Sequence, residues 1–406
     1  MFIQSHRIVS YLLIIPLLLA VLIFSLLAFL NFQTTGHLLK SHAAYAVKNV
    51  PILSIGYFPP ELTSKDYLDI KQTGADHTYT ISEWESFAAQ KASQLAFLIG
   101  EGTRYKGYNN NQALQYLNYY ILTTRNYSES EPVSPIHSQD QFALTGRYPD
   151  YHAILLANNV CSYVDDQGVK EIWIFSFHHE GIYPVESITS SKYGNISNSK
   201  DLGEFNPPRC KHSYTMYNFD TQKNNQKDRA IGDLLSSRMR QMENILSYAD
   251  YADNISHWPS EADSPLRHTP YQLFFGNFAD YNPVSSLNRS QSLFSACGNS
   301  HFAPNWESFA DQNNYEKILP QLSNCENWNP DAKHQIYSKI SCENWNCAHN
   351  GRADINYHIY FMQNLPGYKN NLHYLGKNIS NWWGLIYDFD KYIDTNGRSL
   401  LTTSAG

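Results

Sequence analysis

Charge is scarce in this chain. Only 17% of its 406 residues are Asp, Glu, Lys or Arg, whereas 14% are aromatic, including 30 tyrosines. The net charge is −7 and the basic residues form no stripe, which argues against nucleic acid as a partner. A neutral aromatic surface is suited to binding a glycan by stacking and hydrogen bonding, although the same composition also occurs without such a role.

Two common ligand-binding motifs are missing. The glycine-spaced stretch Gly100–Gly107 follows a predicted helix and lacks the Gly-Lys-Ser/Thr ending of a phosphate-binding loop. The cluster His178-His179-Glu180 has no second histidine at the spacing of the zinc motif His-Glu-x-x-His. Neither stretch therefore identifies a cofactor.

The N-terminal residues predict a membrane anchor. Residues 8–32 are predominantly apolar and uncharged, and about 20 such residues cross a bilayer as a helix. A cleaved signal, whose apolar core is only about 7–15 residues long, is the alternative. We expect a cytoplasmic tail at 1–7, a transmembrane signal anchor at 8–32 and a stem at 33–50. The chain would then be a single-pass cell-membrane protein with an extracytoplasmic domain at 51–395 and a polar tail at 396–406.

The six cysteines, an even number, predict disulfides and an oxidising compartment. We expect Cys161 to be buried or paired with Cys210, and the other four to pair among themselves: Cys297, Cys325, Cys342 and Cys347. Zinc binding by the late cysteines with His349 is the alternative, but structural zinc sites favour more closely spaced pairs. The pentapeptide Cys-Glu-Asn-Trp-Asn occurs at 325–329 and again at 342–346, which predicts a small pseudo-symmetric element.

Apolar runs and helical periods alternate along the first 250 residues. Strands are predicted at 51–58, 117–124, 170–177 and 214–219. Helices are predicted after a capping box at Ser82 and Glu85, at 151–169 and at 229–249, with a flexible insertion at 126–147. This alternation of strands and helices predicts an α/β fold with a mixed, parallel-leaning sheet and flanking helices. Beyond Asp250 we expect a disulfide-stapled, aromatic-rich cap with strands at 357–363 and 383–389.

The first candidate site follows the apolar run at 170–177. If that run is a buried strand, His178, His179 and Glu180 open its carboxyl end, where ligands bind in α/β sheets, and Glu186 follows shortly after. A histidine can act as acid or base near neutral pH, and a carboxylate can orient it. We predict these four as catalytic residues; the simpler interpretation is that the histidines merely end a strand.

The second candidate is Cys-Gly-Asn-Ser-His-Phe-Ala-Pro-Asn at 297–305. A thiol nucleophile usually takes its base from a distant part of the chain, so we expect Cys297 to form a disulfide instead. That disulfide would hold His301, which we predict as a further catalytic residue. Asn299 and Asn305 are candidate ligand-binding residues.

The third candidate lies near the C-terminus. Asp388 and Asp390 stand two apart, so on a strand they would point to the same side and could hold a metal ion. Together with the single anchor, this Asp-x-Asp resembles type II membrane glycosyltransferases, in which it binds the metal of a nucleotide sugar. The likeness covers only those three residues and the topology. Trp382 and Trp383 just before it are candidate ligand-binding platforms.

Three late motifs together resemble a set found in uncharacterised secreted bacterial proteins. They are the stretch at 297–305, Met-Gln-Asn-Leu-Pro-Gly at 362–367, and Asn-Trp-Trp at 381–383 with Asp-Phe-Asp at 388–390. The resemblance covers the last third of the chain, and 170–177 loosely. It implies an extracytoplasmic α/β domain and no particular activity.

Two functions of different classes are compatible with these residues. One is a membrane-anchored extracytoplasmic hydrolase that acts on a glycan or another cell-envelope polymer by His/Glu acid–base chemistry. The other is a non-catalytic surface binding or adhesion protein that uses aromatic platforms. An enzyme requires its titratable groups to converge in one place, whereas a binder requires only an exposed aromatic patch.

Overall fold

A computed structural model gives the fold of most of the chain. The described residues are 47–75, 78–134, 148–177, 187–192, 194–197, 207–221, 229–254, 274–279, 294–331, 335–347, 351–396 and 401–403. The predicted tail and anchor, and the stem as far as residue 46, lie outside these ranges. Within the ranges, no helix is long and apolar enough to cross a bilayer.

The strands and helices of the described residues are numbered in chain order. The strands are β1 (Lys48–Tyr57), β2 (Leu117–Tyr127), β3 (Val133–Ser134), β4 (Tyr148–Pro149), β5 (Glu171–Ser176), β6 (Ser187–Ser190), β7 (Ile196–Ser197), β8 (Tyr214–Asp220), β9 (Gln321–Ser323), β10 (Ser338–Ile340), β11 (His373–Tyr374), β12 (Lys377–Ile379) and β13 (Thr402–Thr403). The helices are α1 (Ile70–Thr73), α2 (Ile81–Gly102), α3 (Tyr151–Ala157), α4 (Val160–Gln167), α5 (Arg229–Asn254), α6 (Phe275–Ala279), α7 (Ala353–Asn364), α8 (Trp382–Tyr387) and α9 (Phe389–Asn396).

The central sheet of the described residues has six strands in the order β2-β1-β5-β8-β6-β7. The first four are parallel neighbours, whereas β6 and β7 pair antiparallel at one edge. Successive residues of a strand point to opposite faces, and in β5 Trp173 and Phe175 pack with α2 and α5 while Ile172 and Ile174 pack with α3 and α4. Both faces are covered, which explains the unbroken apolar run. The predicted α/β fold with a mixed, mostly parallel sheet is confirmed.

Two elements begin earlier than expected. β1 starts at Lys48, three residues inside the predicted stem, because Lys48 pairs with Leu117 of β2. α2 is capped by Thr80 rather than Ser82. The Thr80 hydroxyl accepts from the Glu83 N–H, and the Glu83 carboxylate accepts from the Thr80 N–H at 2.7 Å, which is the capping box shifted by two residues.

Two other segments are divided differently than expected. The predicted helix at 151–169 is two helices, because Asn159 adopts a left-handed conformation with φ 51° between them. Gly168 ends α4 with φ 72°, as its position predicts. The insertion expected at 126–147 begins inside β2, which continues to Tyr127, and its residues 135–147 lie outside the described part of the chain.

Two segments of the cap that composition predicts as strands are helices. Residues 357–363 lie in α7, and residues 383–389 span α8 and the start of α9. Tyr, Ile and Trp favour strands by propensity, but tertiary packing overrides that preference. From Tyr357 to Asn364 only Ile359 is not fully buried, so this stretch has no polar face and shows no helical stripe.

All six cysteines lie in described residues and form three disulfides. Cys161 of α4 pairs with Cys210 before β8, Cys297 pairs with Cys325, and Cys342 pairs with Cys347. The predicted disulfides are therefore confirmed. The zinc alternative is wrong, because none of these cysteines is free.

The repeated pentapeptide forms a pseudo-symmetric element. Each copy opens with a short 3₁₀ turn, Cys325–Asn327 or Cys342–Trp345, and follows a three-residue strand, β9 or β10. These strands pair antiparallel with Leu322 opposite Lys339, and each of these residues lies three positions before the cysteine of its copy. A pseudo-two-fold axis therefore passes between Leu322 and Lys339. The cystines break this symmetry, since the two copies use different partners.

Candidate functional site

The first predicted site lies outside the described residues. His178, His179, Glu180 and Glu186 belong to residues 178–186, so their predicted meeting with His301 stays a prediction. The flanking residues are described: Phe177 is buried directly after β5, and Ser187 begins β6 and donates a hydrogen bond to Gln241 Oε1 of α5 at 3.2 Å.

The loop that carries His301 is fixed at several points. The Asn299 side chain accepts the backbone N–H groups of His301 and Phe302 at 2.9 and 3.1 Å. The Tyr357 hydroxyl of α7 lies 2.9 Å from the carbonyl oxygen of Asn299 and 2.8 Å from that of Phe302. Gly298, at φ 85°, turns the chain after the buried Cys297. Asn299 therefore shapes the loop, and its predicted ligand contact stays a prediction.

The other predicted ligand-binding residues are also engaged inside the protein. Asn305 is buried and its amide donates to the carbonyl oxygens of Lys317 and Leu319 at 2.7 and 2.9 Å. Trp382 and Trp383 have no exposed surface. Neither ring is accessible to a ligand, so these two tryptophans do not form the predicted aromatic platform.

Asp388 and Asp390 do not form a joint metal site. The expected strand is absent at these described positions; Asp388 lies between α8 and α9, and Asp390 lies inside α9. Asp388 forms an ion pair with Lys170 at 3.4 Å, whereas Asp390 accepts the N–H and hydroxyl of Ser213 at 2.6 and 2.7 Å. Among the described residues, no group of three His, Cys, Asp or Glu side chains is placed to hold a metal ion.

Ser300 is the centre of a polar cluster between α5, α7 and the His301 loop. Its N–H and hydroxyl donate to the two carboxylate oxygens of Glu243 at 2.6 and 2.8 Å. Its carbonyl oxygen accepts from the Tyr315 hydroxyl at 2.8 Å and the Ser236 hydroxyl at 3.3 Å, and His358 Nε2 lies 3.4 Å away. All three polar groups of Ser300 are thus used. We call these residues, together with Arg240 and His301, the Ser300 cluster.

Glu243 is a buried acid, with 2% of its surface exposed. Burial raises the pKa of Glu243 to about 7, although its hydrogen bonds from Ser300 and the nearby Arg240 charge favour the ionised form. Desolvation is the largest effect and outweighs the three favourable interactions, since burial deprives the ionised carboxylate of its hydration. The proton on Glu243 is therefore half-dissociated near neutral pH.

His301 is shifted in the opposite direction. Burial and, as the second cause, the Arg240 guanidinium together lower the pKa of His301 to about 4, while the Asn313 side chain opposes both. Arg240 Nη2 donates to His301 Nε2, so Nδ1 carries the ring proton and faces Asn313 Oδ1 at 3.4 Å. At neutral pH His301 is uncharged.

The wall behind Ser300 is formed by His358 and Tyr315. His358 is buried, and burial lowers its pKa to about 4, so it is neutral at physiological pH. Its Nε2–H points to the Ser300 carbonyl, and its Nδ1 has no hydrogen-bond partner among the described residues. The charges that act on Tyr315 come from α5 and α7: Asp233, Arg240, Glu243 and Asp354.

Helix α5 supplies the part of this cluster that sequence reasoning misses. Its apolar stripe packs on the sheet, and Arg238 on that side reaches Glu171 of β5. The opposite side carries polar residues at helical spacing: Asp233, Ser236, Arg240 and Glu243. That polar stripe is visible in the sequence, but nothing local connects it to His301.

The cluster contains two titratable side chains whose order of acidity is reversed, because the pKa of Glu243 is raised and that of His301 is lowered, and the Ser300 hydroxyl donates to the Glu243 carboxylate. The inner residues of the cluster are buried: Glu243, Ser300, Tyr315 and His358. At its edge, Ser236, Arg240 and His301 are half-buried, and Asp233 and Asn313 are exposed. A polar molecule could therefore approach His301 from the rim. Such a pair is suited to proton transfer.

Comparison with known proteins adds nothing to this geometry: no family model, no curated protein and no solved structure matches the chain.

Proposed function

We propose that the protein is an extracytoplasmic hydrolase of a glycan or another weakly charged polymer, with Glu243 as general acid and His301 as general base. One observation carries the proposal: the pKa of Glu243 is raised to about 7 and that of His301 is lowered to about 4. Ordinary values are near 4.3 for Glu and near 6.5 for His. Between about pH 4 and 7 the carboxyl group therefore holds a proton while the imidazole lacks one, as acid–base hydrolysis requires.

The reaction would proceed at the rim of the Ser300 cluster. His301 takes one proton from the attacking water, whose oxygen bonds to the substrate, and the leaving oxygen receives the proton of Glu243. Glu243 and Ser300 are both buried, so the loop that carries Ser300 has to move before its hydroxyl can accept the Glu243 proton and pass its own to the leaving oxygen. Arg240 occupies His301 Nε2 in the free protein, so the guanidinium has to move onto the substrate when His301 accepts a proton.

The three disulfides support an extracytoplasmic location of the domain, because disulfides persist in oxidising surroundings. The anchor at residues 8–32 remains a proposal from the sequence. Protease added to intact cells should remove the domain if it is outside. Protection until the membrane is opened would contradict this orientation.

The enzymatic test is the release of reducing ends from purified peptidoglycan, chitin and cellulose by the full chain. Glu243→Gln and His301→Asn should each lower the rate about a hundredfold or more. Glu343→Gln and His373→Asn are matched controls, since both side chains are exposed and neither takes part in the hydrogen bonds of the Ser300 cluster. Equal rates in all four variants, or no cleavage of any polymer, would overturn the proposal.

A second candidate, glycan binding without catalysis, is favoured by a different observation. Phe294 and Tyr337 are 51% and 37% exposed, and their ring centroids lie 4.7 Å apart. They lie beside the β9–β10 pair, in which Leu322 is also exposed, and exposed aromatic patches mark interaction sites. Phe294→Ser with Tyr337→Ser should weaken sedimentation with insoluble chitin or cellulose if this candidate holds, whereas Glu243→Gln should leave it unchanged.

A further inference from the structure

Leu375 is among the most exposed apolar side chains that the structure describes. Its exposed fraction is 85%, and among the large apolar side chains of the described residues only Leu62, at 94%, exceeds it. Leu375 and Gly376 form the two-residue turn between β11 and β12. We call residues 368–379, which carry this turn, the Leu375 hairpin. Single exposed apolar residues are common, so exposure by itself does not indicate a function.

The backbone at this turn disfavours leucine. Leu375 has φ 48° and Gly376 has φ 78°, and a two-residue turn with two positive φ angles favours Asn followed by Gly. Outside glycine, positive φ is uncommon, and Asn and Asp adopt it most readily. The non-glycine residues with positive φ in the described part of the chain are four asparagines, two lysines and Leu375. Neither the local geometry nor burial in the core therefore accounts for an apolar side chain here.

The Leu375 hairpin is fixed at its base. The side-chain amide of Asn370 donates to the carbonyl oxygens of Gly367 and Ile379 at 2.9 and 3.3 Å, which ties the two ends of the hairpin together. The ring of Tyr374 packs edge-to-face against the buried Phe274, with centroids 5.1 Å apart. The base is thus part of the folded domain, and the turn is left in solvent.

Positive charge surrounds the exposed turn. Between Asp354 and Asp388 the sequence contains no acidic residue, although the whole chain has a net charge of −7. Lys369 and Lys377 lie on either side of Leu375 in this stretch, and both are exposed. An apolar tip between lysines is complementary to a surface with negative headgroups above an apolar layer. Anionic lipid presents such a surface.

The Leu375 hairpin lies beside the amino end of β1. The ring of Tyr368 stacks with that of Tyr116 at a centroid distance of 6.4 Å, and the carbonyl oxygen of Tyr116 accepts the Lys48 N–H at 2.9 Å. Only residues 33–47 separate Lys48 from the predicted anchor, and a segment of that length spans at most about 50 Å. If the anchor crosses a bilayer, the amino end of β1 stays within that distance of it. Tyrosine is itself enriched at membrane–water interfaces.

We propose that the Leu375 hairpin docks on a lipid bilayer, with the Leu375 side chain among the headgroups and Lys369 and Lys377 on anionic lipid. Leu375 then leaves water, while the lysine stems lie along apolar surface and their ammonium groups stay in the headgroup layer. The contact uses no residue of the Ser300 cluster. It rests on the proposed membrane location and not on the proposed hydrolysis.

The test is nitroxide quenching of one fluorescent probe on the full chain in vesicles of phosphatidylcholine with phosphatidylglycerol. All six cysteines are paired, so Leu375→Cys supplies a single thiol for a nitrobenzoxadiazole label. Leu62→Cys is the matched control, because Leu62 is comparably exposed but follows the carboxyl end of β1, directly after Glu61. Nitroxide-labelled lipid should quench the probe at position 375 and leave the probe at position 62 unquenched. Equal quenching at both positions, or none at 375, would overturn the proposal.

Two further measurements separate lipid contact from mere exposure. Lys369→Gln with Lys377→Gln should lower the quenching at position 375, as should vesicles without phosphatidylglycerol, since each lysine near anionic lipid strengthens binding about fivefold. Quenching that is unchanged in both cases would contradict the role of the lysines. Leu375→Asn, which suits the left-handed backbone, should unfold at the same urea concentration as the parent or a higher one. A strong loss of stability would assign Leu375 to the fold instead.

Alkaline extraction of the same vesicles tests the anchor separately. A chain with a membrane-spanning anchor should stay with the lipid, whereas a chain held by the Leu375 hairpin alone should be released. Release would remove the anchor at residues 8–32, while the quenching measured before extraction still decides whether the hairpin contacts lipid.

Discussion

Glu243 and Ser300 are joined by two hydrogen bonds across 57 residues of sequence, from the Ser300 N–H at 2.6 Å and from its hydroxyl at 2.8 Å. This pair ties the outer face of α5 to the loop that carries His301. Its buried carboxyl group has a pKa of about 7. The protonation of Glu243 should therefore affect the stability of the protein as well as its activity, and both can be measured.

Glu243→Gln should change how stability depends on pH. The pKa of Glu243 is raised from 4.5 to about 7 on folding, so the folded protein binds the proton more tightly and loses stability as pH rises from about 4.5 to 7. Glutamine does not titrate, so the free energy of unfolding of the variant, relative to that of the parent, should increase by about 3 kcal/mol between pH 4.5 and pH 8. Urea unfolding at both pH values measures this. A difference that is independent of pH would contradict the raised pKa.

Much of the sheet could be predicted from the sequence. β1 and β5 are buried on both faces, and each contains a continuous apolar run. β8 is buried throughout as well, although Thr215 and Asn218 interrupt its apolar residues. The cap could not be predicted in the same way. α7 is buried from Tyr357 to Asn364 at every position but Ile359, and without a polar face its aromatic residues match the strand pattern.

The candidate site was predicted only in part. The titratable ring of His301 identifies it in the sequence, but its partner Arg240 lies 61 residues earlier, and Glu243, the partner of Ser300, lies 57 residues before Ser300. Only tertiary packing brings α5 against the loop, so no local spacing could reveal the contact. The burial of Asn305, Trp382 and Trp383 could not be predicted for the same reason, because their partners are backbone groups and core rings that the sequence does not show.

Arg240→Gln should raise the pKa of His301. Arg240 is the second cause of the low value, after burial, so the pKa should rise from about 4 but stay below 6.5. Arg240→Lys keeps the positive charge and serves as the control with little change. NMR titration of the imidazole measures both variants. If the pKa of His301 is the same in Arg240→Gln and in the parent, Arg240 does not lower it, and the prediction is wrong.

Arg238→Met should strongly destabilise the fold. Arg238 is fully buried and forms an ion pair with Glu171 at 2.9 Å, and it also donates to the Tyr119 hydroxyl. Removing it leaves Glu171 charged and buried, which costs about 3–5 kcal/mol. The double variant Arg238→Met/Glu171→Gln should recover part of that loss in urea unfolding, and the exposed Lys339→Met should change stability by less than about 0.5 kcal/mol. A single variant as stable as the parent would show that the pair contributes little.

The disulfides should differ in their contributions. Cys161 and Cys210 are 49 residues apart, whereas Cys342 and Cys347 are 5 apart. Loop entropy then predicts a loss of about 4 kcal/mol for Cys161→Ala/Cys210→Ala and about 2 kcal/mol for Cys342→Ala/Cys347→Ala. Thiol counting on the denatured, unreduced parent should find no free thiol, and finding four would restore zinc binding as the explanation for the late cysteines.

The reversed acidity of Glu243 and His301 is the central claim, and NMR titration of the full chain tests it without a substrate. The ¹³C shift of the Glu243 carboxyl carbon, assigned by its loss in Glu243→Gln, should titrate near pH 7. The His301 ring, assigned by its loss in His301→Asn, should titrate near pH 4. Values near 4.3 for Glu243 and 6.5 for His301, the ordinary ones, would contradict the acid–base account.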